Sequence, residues 1–444
     1  MASPSMEMSA SARSVAETSH ARLDDSIKVL RDHAREFARL DIHARVALLR
    51  ACVPKLAGVA SRWVAAACEA KGLQVGQPSS SEEWLGGPIT TQRNVRLLIR
   101  SLEQIAQTGK PVLAPGRFTQ SFDGVTQVQV FPGDSQDGAL FGGFSGTVRM
   151  QPGLDERAVR ERQAWFYGKK DPEGGVSLVL GAGNVASIPP MDALYKMFAD
   201  GHVCIVKMNP VNEYLAPFFE EAFAPLVDAG YLRFVTGGAE VGSYLCYHEA
   251  IDDVHITGSD RTHDMIVWGP PGPERQRRMD ADDPVLKKHI ASELGCVTPV
   301  VIVPGEFTPG QLQFVADNVA TMVANNASCN CNAAKMLVTS KSWPQRETFL
   351  RLVRETLAAA APRKAYYPGA TDRFNTLLQG RDSVIRLGEA GQGQLQWALV
   401  FGLDAKSPGE KLFTTEPFCP IISEAVIDES DPAAFLTAAT SFCN

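Results

Sequence analysis

The chain has 444 residues, 45% hydrophobic and 21% charged, proportions close to those of ordinary globular proteins, so disorder, collagen and a small disulfide scaffold are excluded for the whole. Its 43 Lys and Arg against 50 Asp and Glu give a formal net charge of −7, which argues against a broad nucleic-acid or anionic-membrane surface. No apolar run approaches the ~20 residues needed to span a bilayer, and nine cysteines in so long a chain suit a reducing, cytoplasmic setting better than a disulfide framework.

Residues 1–20 are Ser-, Ala- and Met-rich and read as a disordered tail. From Ala21 to Gly72, apolar residues recur at helix-face spacing (Leu23, Ile27 and Leu30, then Val46, Leu49 and Val53), with an interruption expected at Pro54. A Ser/Gly/Pro-rich loop at residues 77–88 precedes another helical stretch, Ile89 to Thr108. Residues 111–174, rich in Gly, Val and Phe, read as hairpins or an extended arm.

From Gly175 strands and helices alternate. Strands are expected at Val176–Leu180, His202–Lys207, Tyr231–Val235 and Asp253–Thr257, and helices at Asp192–Ala199, Leu215–Ala229, Val241–Tyr247 and Asp260–Trp268. Such alternation predicts a mostly parallel sheet covered by helices. Residues 269–283, opening Gly-Pro-Pro-Gly-Pro, read as a surface loop. The alternation then restarts with Pro299–Val303, Pro309–Asn325, Lys335–Thr339 and Trp343–Ala361. The expectation is an α/β chain of two parallel-sheet domains: residues 21–291, carrying the arm around 111–174, and residues 292–444.

Gly181-Ala-Gly183-Asn-Val-Ala186 follows a strand and matches the dinucleotide fingerprint G-x-G-x-x-A. That fingerprint needs an acidic residue at the end of the next strand, where this chain has Lys207, and Pro189 and Pro190 stand where the phosphate-binding helix should be running. A plain tight turn remains the other reading.

A wider constellation is more specific. Asn184 follows one strand, Lys207 ends the next, and Gly258-Ser259 follows a third and opens a helix. Glu293-Leu-Gly295 precedes a further strand, Asn325-Asn-Ala-Ser-Cys-Asn-Cys331 lies at a helix end, and Glu416-Pro-Phe418 comes near the end. In order and approximate spacing this series resembles the aldehyde dehydrogenase superfamily over residues 175–444.

The resemblance implies two α/β domains with an extended hairpin arm, NAD or NADP as cofactor, and a cysteine nucleophile. Setting the family's N-x-G-Q-x-C on Asn326–Cys331 puts the nucleophile at Cys331, with Cys329 as runner-up. Asn184 would stabilise the oxyanion with the Cys331 backbone N–H, and Glu293 would activate the water that hydrolyses a thioester. Lys207, Gly258 and Ser259 would hold the adenosine and pyrophosphate, and Glu416 and Phe418 the nicotinamide end. An unselected cysteine is more often a small buried apolar residue, and no second Cys/His pair at ligand spacing accompanies Cys329 and Cys331, so no metal is expected.

The chain departs from the pattern in places. Cys296 and Val297 stand where the family continues its E-L-G motif with Gly and Lys, and Ser328 and Cys329 replace Gly and Gln. Pro210 stands where many NAD-preferring members carry a carboxylate, which makes NADP admissible. Family members also run on past the E-x-F motif, so residues 292–444 are expected to form an incomplete catalytic domain, leaving homo-oligomer contacts in question. The substrate would be a small-molecule aldehyde; the alternatives are an acyl-CoA or acyl-thioester reductase on the same fold and a catalytically silent scaffold.

Overall fold

The computed structural model describes residues 15–444; residues 1–14, most of the expected tail, lie outside them. Residues 15–19 do not hang free. Thr18 is buried, its N–H donates to the Thr236 carbonyl (3.1 Å), and its hydroxyl accepts from the Thr236 N–H (3.0 Å). Low hydrophobicity hid this docking, because it rests on backbone and hydroxyl groups.

Helices His20–Arg39, Ile42–Lys71 and Thr90–Thr108 form the N-terminal layer. Pro54 does not end the second helix. An interior proline costs ~3 kcal/mol, but Leu49, Cys52, Leu56, Val59 and Trp63 are fully buried on either side of it, and that burial outweighs one lost backbone bond. Residues 111–174 carry a three-stranded antiparallel sheet: β1 (Phe118–Gln120), β2 (Thr126–Phe131) and β3 (Gly146–Arg149), in the order β1-β2-β3.

The first parallel sheet comprises β4 (Val176–Leu180), β5 (Val203–Lys207), β6 (Leu232–Val235), β7 (Asp253–Thr257) and β8 (His289–Glu293), in the order β6-β5-β4-β7-β8. Every residue of β4 and β5 is buried, as expected of strands with helices on both faces. The expected helix 215–229 is two pieces, Ala216–Ala222 and Ala224–Asp228, because Pro225 cannot continue the hydrogen-bond ladder. The expected loop 269–283 contains a helix, Pro273–Asp280, with proline in its first turn and Glu274 paired to Arg277 and Arg278.

The second sheet comprises β9 (Pro299–Val301), β10 (Met336–Ser340), β12 (Val384–Leu387), β14 (Trp397–Asp404) and β15 (Ile421–Ile427), in the order β12-β14-β15-β10-β9. It is parallel except for β12, which runs antiparallel to β14. Arg363–Lys364 (β11) pairs with Gln394–Leu395 (β13) beside it. The first sheet extends to Glu293, two residues past the expected division at 291, and the second begins at Pro299. Pro432–Cys443 forms a final helix, capped by the Asp431 carboxylate accepting from the Ala434 N–H.

Candidate active site

The singled-out residues of the first sheet share its C-terminal edge. Lys207 ends β5 opposite Leu180, the Gly181 N–H donates to the Lys207 carbonyl (3.1 Å), and Asn184 follows in the turn after β4. Thr257 ends β7 opposite Glu293, and the Gly258 N–H donates to the Glu293 carbonyl (3.0 Å). The strand order reverses between β4 and β7, the position at which open α/β sheets place ligands. The Gly258-Ser259 turn is exposed there, and the Ser259 hydroxyl caps helix Asp260–Trp268 by accepting from the Thr262 N–H.

The first two glycines of the G-x-G-x-x-A match serve internal packing. A Cβ at Gly181 would stand 2.9 Å from Pro189, and one at Gly183 would stand 2.7 Å from the Asn209 side chain. Protein fills the space a pyrophosphate would need, so the tight-turn reading describes this segment.

The thiol loop is bent by three consecutive residues in the left-handed region, Asn326, Ala327 and Ser328, with φ of 51°, 55° and 63°. Non-glycine residues adopt this conformation singly, and a run of three needs support from outside. A buried polar network supplies it. The Lys71 ammonium donates to Glu83 (2.8 Å), to the Asn184 carbonyl (2.9 Å) and to Asn326 Oδ1 (3.0 Å), over the Tyr366 ring. The Tyr366 hydroxyl donates to Asn326 Oδ1 (2.9 Å), and Glu82, gripped by both terminal nitrogens of Arg363, accepts from the Asn326 N–H (3.1 Å). Buried Lys335 donates to the carbonyl and hydroxyl of Ser328, and burial brings its ammonium down to about 8. Sequence reasoning missed Lys71, Glu82, Glu83, Lys335, Arg363 and Tyr366. Among them only Lys71, on the apolar face of its helix, carried a local signal.

Asn184 lies against this loop. Its side-chain N–H donates to the Cys329 carbonyl at 3.0 Å, while Asn330 Oδ1 is 3.5 Å away. One amide hydrogen is thus firmly engaged and the other is held at the limit of hydrogen bonding.

The two thiols differ. Cys329 is 1% exposed, its sulfur lies 3.6 Å from the carbonyls of Ala327 and Phe418, and burial pushes its thiol up to about 11. Cys331 is half-buried. Burial first, then the facing carboxylates of Glu416 and Glu293, raise its thiol above the ordinary value, while the N–H groups of Asn332 and Cys331 itself favour the thiolate. The charges of Glu416 and of Glu293, exposed at the end of β8, both act on Cys331.

Glu416 closes the site from the second sheet. It packs on Gly295, where a Cβ would collide with its carboxylate, and the Cys296 N–H faces it. Its Oε1 is buried without a hydrogen-bond partner, and burial raises its carboxyl. Phe418, at φ 44°, stacks edge-on against Tyr367, and its carbonyl accepts from Arg373 (3.2 Å). Lys207 is a second buried polar group left open: it is 8% exposed, its ammonium makes no hydrogen bond among the described residues, and burial brings it down to about 8. The orphaned acceptor at Glu416 and the Lys207 ammonium, which makes no hydrogen bond among the described residues, fit the two riboses of a dinucleotide, whose hydroxyls both donate and accept. Among the described residues no group of three His, Cys, Asp or Glu side chains could hold a metal, and no helix is long and apolar enough to cross a membrane.

Residues 144–363 match the aldehyde dehydrogenase family. The aldehyde dehydrogenase KauB of Pseudomonas aeruginosa superposes with a TM-score of 0.64 at 17% identity, covering 97% of this chain and 75% of KauB. A mutant of aldehyde dehydrogenase C of Pseudomonas syringae, complexed with NAD+ and octanal, gives 0.64 at 13% identity, with 94% and 74% covered. NADP-dependent glyceraldehyde-3-phosphate dehydrogenase of Bacillus halodurans, complexed with NADP, gives 0.61 at 15%, with 94% and 76% covered. Residues 144–363 thus carry the sequence match to the aldehyde dehydrogenase family, and the chain shares the fold of these NAD(P)-dependent oxidoreductases.

Proposed function

We propose that the chain oxidises a small-molecule aldehyde to a carboxylic acid, with NAD or NADP as hydride acceptor and Cys331 as nucleophile. The carrying observation is that Cys331 is a half-buried thiol on which the charges of Glu416 and Glu293 act, in the loop whose Cys329 carbonyl accepts from the Asn184 side chain. Cys331 is the accessible thiol of its loop, whereas Cys329 is packed away and held protonated.

The thiol is neutral at rest, so its proton must leave before attack. Exposed Glu293, whose charge acts on Cys331, would accept it, directly or through water. The sulfur then adds to the carbonyl carbon, and the oxyanion falls beside the N–H of Cys331 and the loosely held second N–H of Asn184. Donors so placed contribute ~10²–10³ in rate. The bound dinucleotide would supply the hydride acceptor. Glu416 would accept from the nicotinamide ribose through its orphaned Oε1, Phe418 would flank that end, Lys207 would meet the adenosine ribose, and the Gly258-Ser259 turn would offer N–H groups to the pyrophosphate. Loss of hydride leaves a thioester on Cys331, and water activated by Glu293 releases the acid and restores the thiol.

The test is hydride transfer measured in both directions, with and without coenzyme A, on the native chain and on Cys331→Ala and Cys329→Ala. Aldehyde oxidation should fall at least ~10³-fold in Cys331→Ala and stay within a few-fold of native in Cys329→Ala. Reduction of acyl-CoA without aldehyde oxidation would overturn the direction, and an inert Cys329→Ala beside an active Cys331→Ala would overturn the nucleophile.

A further inference from the structure

The segment before the first helix runs along the adenosine end of the cleft. Besides the two Thr18 bonds, the Thr236 hydroxyl donates to the Ala16 carbonyl (2.8 Å), and the Glu17 carboxylate accepts from the Gly238 N–H (2.9 Å). Glu17 packs so closely on Gly237 that a Cβ there would stand 2.7 Å from its Oε1. Residues 236–238 continue directly from β6, whose Val235 pairs with Lys207, so Glu17 is carried to the strand end where the unpartnered ammonium lies. A second carboxylate arrives from the other side: Glu213 opens the turn Glu213–Leu215 after β5, half-buried, with the Gly237 N–H facing it. The carboxylate missing at Pro210 thus has two substitutes, one from a segment nearly two hundred positions away in sequence. Their charges act on Lys207 and on each other.

We propose that Glu17, carried on the N-terminal strap and acting with Glu213, makes the adenosine end of the cleft select a free ribose 2′-hydroxyl over a 2′-phosphate. Two carboxylates against one ammonium leave a net negative charge at the 2′ position. A hydroxyl donates to a carboxylate there, whereas a phosphate dianion is repelled. The inference rests on the cofactor reading above.

Calorimetric titration of the full chain with NAD+ and with NADP+ tests it without turnover. Glu17→Gln keeps the oxygen that accepts from the Gly238 N–H and removes only the charge. The native chain should bind NAD+ at least ~10-fold tighter than NADP+, Glu17→Gln should narrow that ratio several-fold by tightening NADP+, and Glu17→Gln with Glu213→Gln should erase it. Added salt should narrow the native ratio, because exposed Glu17 is screened. Equal affinities in the native chain, or a ratio unmoved by both substitutions, overturns the selection and leaves the cofactor site standing. Binding of neither nucleotide overturns the cofactor reading and the selection with it.

Discussion

Replacing Lys71 with Met removes the ammonium that ties the N-terminal helices to the thiol loop. Its three acceptors are not equally exposed to the loss. The Asn184 carbonyl keeps the Asn326 side-chain N–H (3.0 Å), and Asn326 Oδ1 keeps the Tyr366 hydroxyl (2.9 Å). The Glu83 side chain, 4% exposed, has no other hydrogen-bond partner among the described residues. The cost is therefore dominated by one buried, unpaired carboxylate, ~3–5 kcal/mol by precedent for buried pairs broken from one side. With a urea dependence near 3 kcal/mol/M, the unfolding midpoint should drop by ~1–1.7 M. Urea denaturation followed by tryptophan fluorescence measures it, and Trp63, fully buried in the same helix, is a reporter. The double variant Lys71→Met with Glu83→Leu should recover most of the loss, since the two charges leave together. A single variant within ~1 kcal/mol of native, or a double variant no better than the single, would refute this account of the network.

Two further outcomes follow from the same geometry. Because burial and two carboxylates raise the Cys331 thiol, its thiolate fraction increases tenfold per pH unit up to a pKa above the usual thiol value. Alkylation of Cys331 should therefore still be accelerating at pH 9, where a free thiol is already about three-quarters ionised; a plateau below pH 8, read by peptide mass spectrometry, would contradict the action of those carboxylates on it. Gly295→Ala should lower stability by ~1–3 kcal/mol through overpacking against Glu416 and impair turnover, since only a shift of that carboxylate makes room; a native urea midpoint with native turnover would show the contact to be loose.

Much of the second half was legible from local patterning. A parallel strand buried on both faces reads as a short apolar run, and Val176–Leu180 and Val203–Lys207 are such runs, bounded by turn residues. Once they are placed, the sheet's geometry puts their C-terminal ends together, so Asn184, Lys207, Gly258 and Glu293 share one edge although up to 109 positions separate them. Helix continuity at Pro54 was not legible, because burial of neighbouring residues decided it, whereas the break before Pro225 follows from that proline itself.

What the amino-acid order determined alone was which segments could be buried and which chemistry-bearing residues would end a strand. Tertiary structure decided which of two nearby thiols is accessible, since Cys329 and Cys331 sit in one short polar run and differ only in what packs on them. It also decided that Lys71, Glu83, Arg363 and Tyr366 meet around the thiol loop, and that Glu17 reaches the end of β5. Hydrogen bonds and charge contacts between distant segments leave no periodicity in sequence, because each partner alone is an ordinary polar residue. They exist only once the hydrophobic pattern has folded the chain and excluded the water that would otherwise satisfy them.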